Sequence, residues 1–356
     1  MSTVTGTVSP AAANPLTAGR LPTWSTWAAL LVSLVAGMLL TGVLGDVNPA
    51  LGLAVGAVIF LAVMHVWSLI VEGSRKATDR FAKHLVAAAF LLALIPLVWV
   101  LYSVLAKGLD RLDPTFLSYS MRNVVGEGGG IAHAMTGTLW VTGLATLISV
   151  PIGLLTAVYL SEYGRGSLAR GITFFVDVMT GIPSIVAGLF AYSLMALAFG
   201  PGTQNGLSGA VALSVLMIPV VVRSVEELLR IVPNELREAS YALGVPKWRT
   251  ILKIVLPTAI SGIVSGVILA IARVIGETAP LMIAAGFTAS LNTNPMANPM
   301  MTLPVFVYDQ YARPGVPPDP YLARAWAGAL TLILLVMTLN LVGRLIAARF
   351  APKTGR

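Results

Sequence analysis

The stretch between the sixth and seventh apolar segments of the chain, residues 233–257, reads PNELREASYALGVPKWRTILKIVLP. Asn234 can cap a helix, and Glu235 falls in the first turn, where a carboxylate suits the helix dipole. Three apolar residues recur at helical spacing and form one narrow stripe, at Leu236, Ala239 and Leu243. Gly244 and Pro246 then follow in the order that ends a helix. The pattern predicts a short rigid helix, a forced turn and a second helical stretch that re-enters an apolar region.

The rest of the chain is too apolar for a soluble domain. Hydrophobic residues make up 56% of its 356 residues and charged residues only 11%, whereas a soluble domain carries about 25% charged residues. Stretches of about 20 apolar residues, long enough to cross a bilayer, occur at 24–45, 50–71, 84–106, 134–160, 171–199, 206–224, 257–288 and 325–348. We therefore expect an all-α polytopic membrane protein with about eight transmembrane helices.

These spans divide the chain into three predicted regions. Residues 1–23 are small, polar and rich in proline, which is typical of a disordered cytoplasmic tail. Residues 24–83 hold the first two spans as a transmembrane hairpin, followed by a basic cytoplasmic linker. Residues 84–350 hold the other six spans as one domain, with a cytoplasmic loop at 225–257. The chain contains no cysteine, which excludes disulfides and thiolate metal sites, and its three histidines show no metal-ligand spacing.

The distribution of positive charge predicts the orientation. Most of the 23 Lys and Arg residues fall between spans two and three, between spans six and seven, and in the C-terminal tail. The positive-inside rule places these segments, and with them both termini, in the cytoplasm of a cell that carries the protein in its plasma membrane. The two long loops on the other side, 107–133 and 289–324, could form a docking surface for an external partner or could be plain connectors.

Three charged residues lie at least six residues inside a predicted span. Arg273 and Glu277 are separated by one helical turn, so they would share a helix face and could pair. A charge inside a bilayer is costly and persists where it faces protein or a water-filled path, and Pro280 would break the helix beside the pair. Asp177 is either a third pathway residue or a carboxylate that water reaches at the cytoplasmic end. A structural ion pair is the alternative role for Arg273 and Glu277.

An arginine beside a glutamate suits one kind of anion. A guanidinium binds an oxyanion through a planar pair of hydrogen bonds. A neighbouring carboxylate would repel a dianion without a proton, such as sulfate, but it can accept the proton of hydrogen phosphate. Arg273 is thus predicted to bind or steer the anion, and Glu277 to orient Arg273 or accept the proton.

The stretch that opens this section also resembles a known family motif. Glu238-Ala239-Ser240, then Gly244, then Leu256-Pro257, is similar to the EAA loop of ABC-importer permeases, with Ser240 where the family has alanine. In that family the short helix is a coupling helix, seated in a groove of the cytoplasmic ATPase. The resemblance implies that the ATPase-coupling residues are Glu235, Leu236, Arg237, Glu238, Ala239, Ser240, Leu243 and Gly244.

A wider resemblance, over residues 90–348, is more specific. Segments similar to the phosphate-importer permease family PstA lie at 272–282 (ARVIGETAPLM), 128–164, 181–192 (GIPSIVAGLFAY) and 301–315. The resemblance implies a six-helix type I ABC-importer permease core, which the extra N-terminal two-helix hairpin would precede. It also implies a PstC-like second permease, a PstB-like ATPase dimer and an extracytoplasmic PstS-like phosphate-binding protein.

Nothing in the sequence predicts an enzyme. No G-x-x-x-x-G-K-[ST] phosphate-binding loop occurs, so we expect a transport subunit without a cofactor or metal of its own, with ATP and Mg²⁺ bound by the partner ATPase. Two alternatives to a phosphate importer remain open at this stage. One is a permease for another oxyanion, sulfate or molybdate, and the other is a membrane scaffold that senses phosphate.

Overall fold

The structure, a computed structural model, describes residues 19–44 and 49–350. Helices account for most of this part of the chain. Their bounds are α1 (Trp24–Leu44), α2 (Pro49–Glu72), α3 (Ser74–Gly108), α4 (Pro114–Ser118), α5 (Ala132–Val158), α6 (Gly166–Thr180), α7 (Ser184–Phe199), α8 (Gly206–Ile231), α9 (Asn234–Ala242), α10 (Lys247–Thr250), α11 (Leu256–Val274), α12 (Ala279–Ala284), α13 (Leu303–Ala312) and α14 (Asp319–Phe350). Most of the predicted tail, residues 1–18, lies outside the described residues.

The predicted all-α, polytopic fold is confirmed. Among the described residues, seven helical stretches are long and apolar enough to cross a membrane, and the bent pair α6 and α7 supplies an eighth. Short π-helical turns extend two of these stretches, at Tyr159–Tyr163 after α5 and at Ile251–Val255 before α11.

The predicted span at 171–199 consists of two helices with a break between them. Helices α6 and α7 meet at an angle of 108°. Pro183 forms the N-cap of α7 with an extended ψ of 137°, and a proline disfavours helical geometry at the residue before it. Gly181 closes α6 by donating to the carbonyl of Val178. The span is therefore broken at the glycine-to-proline segment.

The predicted span at 257–288 is also interrupted, close to the Pro280 that was expected to break it. Helix α11 ends at Val274, and α12 begins at Ala279 after a four-residue turn. Pro280 lies in the first turn of α12, a position where its missing N–H costs nothing. The predicted linker between spans two and three is helical as well, because only Gly73, with φ of +86°, separates α2 from α3.

The chain divides into two compact units, Met1–Leu101 and Tyr102–Arg356, and the division falls within α3. In the first unit α1 packs against α2 around Leu21, Ala29, Phe60 and Met64. The buried carboxylate of Glu72 accepts hydrogen bonds from the backbone N–H of Leu21 at 2.8 Å and from Ser68 at 2.7 Å. It also pairs with Arg80 at 2.6 Å, so one carboxylate joins three segments of this unit.

The second unit has one large apolar core. Helix α8 packs against α5, α7 and α11, and α14 packs against α11 and α13. Helix α8 is the most enclosed of the candidate spans, with 61% of its apolar window buried. The functional residues predicted from the sequence therefore lie on helices arranged around α8.

Candidate functional site

Arg273 and Glu277 lie at the break after α11. Arg273 occupies the last turn of the helix and is exposed, whereas Glu277 lies in the following turn and is half-buried. The backbone N–H of Glu277 donates to the carbonyl of Val274 at 3.1 Å, so the chain has already left the helix. The predicted ion pair on one helix face is wrong for this reason, and neither side chain forms an ion pair with any described residue.

The break is held in place by close packing of α12. Helix α12 packs against α7 and α8, and its Pro280 lies directly on Gly188 of α7. A β-carbon at Gly188 would come within 2.6 Å of the Pro280 α-carbon. At the far end of α12, the side chain of Gln204 donates to the carbonyl of Ile283 at 2.8 Å. These contacts fix the turn that carries Glu277.

Asp177 takes part in a separate cluster of charges. On α6 it forms an ion pair with Arg223 of α8. Arg223 also donates to Glu226 at 2.9 Å, and Glu226 accepts from Arg230 at 2.6 Å. The Glu226 side chain is only 4% exposed, so two cations compensate its burial. Asp177, Glu226 and Arg230 line a cleft of 370 Å³.

The structure does not bring the three predicted pathway residues together. No hydrogen bond or ion pair joins Asp177 to Arg273 or Glu277. Ser224, the neighbour of Arg223, packs against Gly266 of α11. With a rise of about 1.5 Å per residue, Gly266 lies about 10 Å along α11 from Arg273.

Helix α9 presents the predicted apolar stripe to the exterior. Leu236 is 41% exposed and Leu243 is 83% exposed, and Glu235, Glu238 and Ala239 are exposed too. An apolar helix face without a partner in its own chain suits a groove on another protein. The predicted helix over this stretch is confirmed, from Asn234 to Ala242, but the expected cap is not, because Pro233 is the N-cap and no side chain caps the helix.

The turn after α9 has the predicted glycine geometry. Gly244 has φ of +72°, a left-handed conformation that glycine adopts without a steric penalty. The N–H of Val245 then donates to the carbonyl of Ser240 at 3.2 Å, which closes the helix. The chain direction therefore reverses at a fixed angle between α9 and α10.

Arg237 points inward, away from the exposed stripe. Its guanidinium donates to Glu162 at 2.7 and 3.1 Å, with side-chain exposures of 13% and 5%. It also donates to the carbonyls of Val232 at 2.6 Å and Leu229 at 3.0 Å. Arg237 thus ties α9 to the end of α8 and to the π-helical turn after α5.

Two further contacts fix α9 and α10. Lys247 donates to the backbone carbonyl of Glu162 and lies 4.7 Å from the ring centre of Tyr163. Ser240 is buried, and its hydroxyl is 2.8 Å from that of Thr250. The serine that replaces the family's alanine therefore links α9 to α10.

Sequence reasoning missed the roles of Glu162 and Glu226. Glu162 could have been found as an isolated carboxylate at the end of a long apolar span, because such a charge needs a partner. Glu226 lies between Arg223 and Arg230 at helical spacing, a pattern that predicts pairing along one helix. In the described part of the chain no three His, Asp or Glu side chains form a group that could hold a metal ion.

Comparison with known proteins places this architecture in a family. The model of a family described as "Binding-protein-dependent transport system inner membrane component" matches residues 149–356. The chain belongs to this permease family. Over 275 residues it is 47% identical to "Phosphate transport system permease protein PstA 1" of Mycobacterium tuberculosis (strain CDC 1551 / Oshkosh), an alignment that covers 76% of this chain and 89% of the relative.

A second relative is more distant but equally complete. The permease is 38% identical over 283 residues to "Phosphate transport system permease protein PstA" of Yersinia pestis, covering 77% of this chain and 92% of the relative. Among solved structures, a bacterial ABC transporter involved in the import of the acidic polysaccharide alginate superposes with a TM-score of 0.51 at 14% identity. That match covers 78% of this chain and 99% of the other, and it supports the fold alone. The chain is a multi-pass membrane permease subunit.

Proposed function

We propose that this permease forms half of the membrane path of an ATP-driven importer of inorganic phosphate. The observation that carries the proposal is the identity of 38–47% with permeases named for phosphate transport, over about nine tenths of their length. A PstC-like permease would complete the path, and an extracytoplasmic PstS-like protein would deliver phosphate to it.

Arg273 is the residue we assign to the anion path. Its guanidinium is exposed and has no carboxylate partner among the described residues, so its hydrogen bonds are available to a ligand or to a second permease. Glu277, half-buried in the turn beside it, can orient the guanidinium or accept the proton of hydrogen phosphate. The packing of Pro280 on Gly188 fixes the turn between them.

Asp177 acts at a second position, on α6. Its ion pair with Arg223 connects α6, the first half of the broken span, to α8. A change in the angle between α6 and α8 would break this pair and leave Arg223 paired with Glu226 alone, beside the cleft. Asp177 therefore controls the availability of Arg223 rather than contacting the anion itself.

Helix α9 couples the spans to a PstB-like ATPase dimer. Leu236, Ala239 and Leu243 form the contact face, with Glu235 and Glu238 at its edge, and Ser240 and Gly244 fix the helix and its turn. Arg237 transmits the motion inward through Glu162. Because α9 must face the ATPase, this assignment places the basic loop and both termini in the cytoplasm.

The substrate is tested by uptake into proteoliposomes that contain the complete complex. Labelled phosphate should accumulate only in the presence of ATP and the binding protein. An excess of sulfate or molybdate of about tenfold, enough to reveal weak competition, should leave phosphate uptake unchanged. Accumulation of sulfate or molybdate instead of phosphate would assign the permease to another oxyanion.

The coupling face is tested with Leu243→Asp. A carboxylate on the exposed stripe should prevent the ATPase from co-purifying without unfolding the permease, since Leu243 is 83% exposed. Val316→Asp is the matched control, because Val316 is 95% exposed and lies on the loop before α14. Retention of the ATPase by Leu243→Asp, or equal loss in both variants, would contradict the assignment.

A further inference from the structure

The loop between α4 and α5 is held by two guanidinium groups. Arg324, in the first turns of α14, donates to the carbonyls of Gly126 at 2.6 Å and Gly128 at 3.1 Å. Arg111, after α3, donates to the carbonyl of Gly129 at 3.0 Å. Two cations therefore converge on four consecutive residues of one loop.

Arg324 is a buried charge without a counter-ion. It is 1% exposed and is one of the largest fully buried side chains described. Its remaining contacts are the side-chain oxygen of Gln310 at 2.8 Å and the ring of Tyr321 at 4.5 Å. Its terminal nitrogen Nη2 has no acceptor, and no described carboxylate pairs with it. A buried charge compensated by neutral groups alone is costly.

Arg111 is already partly satisfied. It pairs with Asp113, and the pKa of that carboxyl lies below its ordinary value because it accepts the N–H of Phe116 and lies beside Arg111. Asp113 therefore stays ionised and compensates Arg111, not Arg324. Arg324, on α14, is therefore the cation that has no carboxylate partner among the described residues.

A cleft of 480 Å³ opens beside the two arginines. Arg111, Gly128 and Arg324 line it together with two carboxylates, Glu127 and Asp319, which are both exposed. A small anion there could accept hydrogen bonds from the guanidinium groups. An anion that keeps a hydroxyl could also donate to the carboxylates, whereas sulfate, which has no proton, would only be repelled by them.

We propose that this cleft is a binding site for a small protonated oxyanion, with Arg324 as its principal cation. The site is separate from Arg273 and lies at the end of the second unit opposite α9. The identification of this oxyanion as hydrogen phosphate, bound at the entrance of the path, rests on the proposed function. The existence of an anion site does not depend on the proposed function.

The first test measures equilibrium binding of labelled inorganic phosphate to the complete complex in nanodiscs, without ATP or the binding protein. Every protein in this test carries Arg273→Gln, which removes the other proposed contact with phosphate. Phosphate should bind, and Arg324→Gln should weaken binding about 10- to 100-fold, the effect of losing a charged hydrogen bond. Arg122→Gln, an exposed arginine of the same loop, should change nothing. No binding in the Arg273→Gln background, or equal affinity after Arg324→Gln, would overturn the proposal.

A second test does not depend on the folding of an Arg324 variant. The chain has no cysteine, so Ala323→Cys places one thiol in the cleft, and Val316→Cys places a control thiol outside it. Phosphate should slow alkylation of the first thiol several-fold at saturation and leave the second unaffected, with sulfate inactive. Equal protection of both thiols, or equal protection by sulfate or chloride, would overturn the site. If the native complex imports no phosphate while the cleft thiol is still protected, the proposed function fails and the anion site stands.

Discussion

At the scale of single residues, the break beside Arg273 depends on the absence of a side chain at Gly188. A valine there would push Pro280 away, because its β-carbon would come within 2.6 Å of the Pro280 α-carbon. Overpacking of this kind costs about 1–3 kcal/mol. We expect Gly188→Val to lower the thermal stability of the complex and to abolish phosphate uptake, as α12 and the turn carrying Glu277 shift together.

The control for this substitution is Gly143→Ala on α5. A β-carbon at Gly143 would meet nothing within 4 Å in this chain, and alanine favours a helix over glycine by about 0.5–1 kcal/mol. Stability and uptake should be equal to or above those of the native permease. If Gly188→Val also left both quantities unchanged, the turn would not depend on this contact.

A second prediction at this scale concerns the serine that replaces the family's alanine. The buried hydrogen bond between Ser240 and Thr250 spans 2.8 Å. A double-mutant cycle with Ser240→Ala and Thr250→Val, read by thermal unfolding, should give a coupling energy of about 0.5–1.5 kcal/mol. A coupling energy of zero would mean that the two hydroxyl groups contribute independently.

At the scale of elements, a buried ion pair contributes to holding α9, the proposed coupling helix. Arg237 and Glu162 are 13% and 5% exposed, and breaking such a pair costs about 3–5 kcal/mol. We expect Glu162→Gln to loosen α9 from the π-helical turn, so that each imported phosphate requires more ATP hydrolysis. The measurement is the ratio of ATP hydrolysed to phosphate imported in proteoliposomes.

Glu227→Gln is the matched control, because Glu227 is exposed on α8 and forms no ion pair with a described residue. It should leave that ratio unchanged. A charge reversal, Glu162→Arg with Arg237→Glu, should partly restore coupling. An unchanged ratio in Glu162→Gln with normal assembly would mean that α9 transmits motion without this ion pair.

Helix α9 was predictable because its signals are local. Glu235 in the first turn, the apolar stripe and Gly244 all lie within one short stretch, and each affects only its immediate neighbours. The end of α11 was not predictable in the same way. Pro280 predicts an interruption near this point, but the turn begins before the proline, at residue 275, and Pro280 packs on Gly188, which is distant in sequence. The predicted pairing of Arg273 with Glu277 required a helix that continues through both residues, and α11 ends between them, at Val274.

The inward orientation of the Arg237 side chain could not be predicted from the sequence either. Its place on a polar helix suggests exposure, but Glu162 lies 75 residues earlier in the chain. Only the folded structure brings the two together. The ion pair of Asp177 with Arg223 could not be predicted for the same reason. In the sequence, Arg223 is one of many cations that predict the orientation of the chain in the membrane.

At the scale of the whole molecule, the first unit is separable from the transport core. The alignments cover 76–77% of this chain and 89–92% of the two relatives. A nearly complete permease therefore aligns with about three quarters of this chain. Deletion of residues 1–73 removes α1 and α2 and leaves α3 intact. We expect the shortened chain to assemble and import phosphate at a rate near that of the native complex.

The control for the deletion is the full chain with Glu72→Gln, which weakens the buried contacts of the first unit but keeps its helices. Assembly is measured by co-purification of the ATPase and transport by uptake. Loss of assembly in the deletion, with normal assembly in Glu72→Gln, would make the hairpin part of the core instead.

A path for phosphate past Arg273 is tested most directly by ATP-dependent uptake of labelled phosphate by the reconstituted complex with Arg273→Gln. We predict that uptake is lost while assembly and ATP hydrolysis persist, and that Arg273→Lys, which keeps the charge but not the paired donors, restores only part of it. Native rates of uptake in Arg273→Gln would contradict the account and leave Arg273 a structural charge.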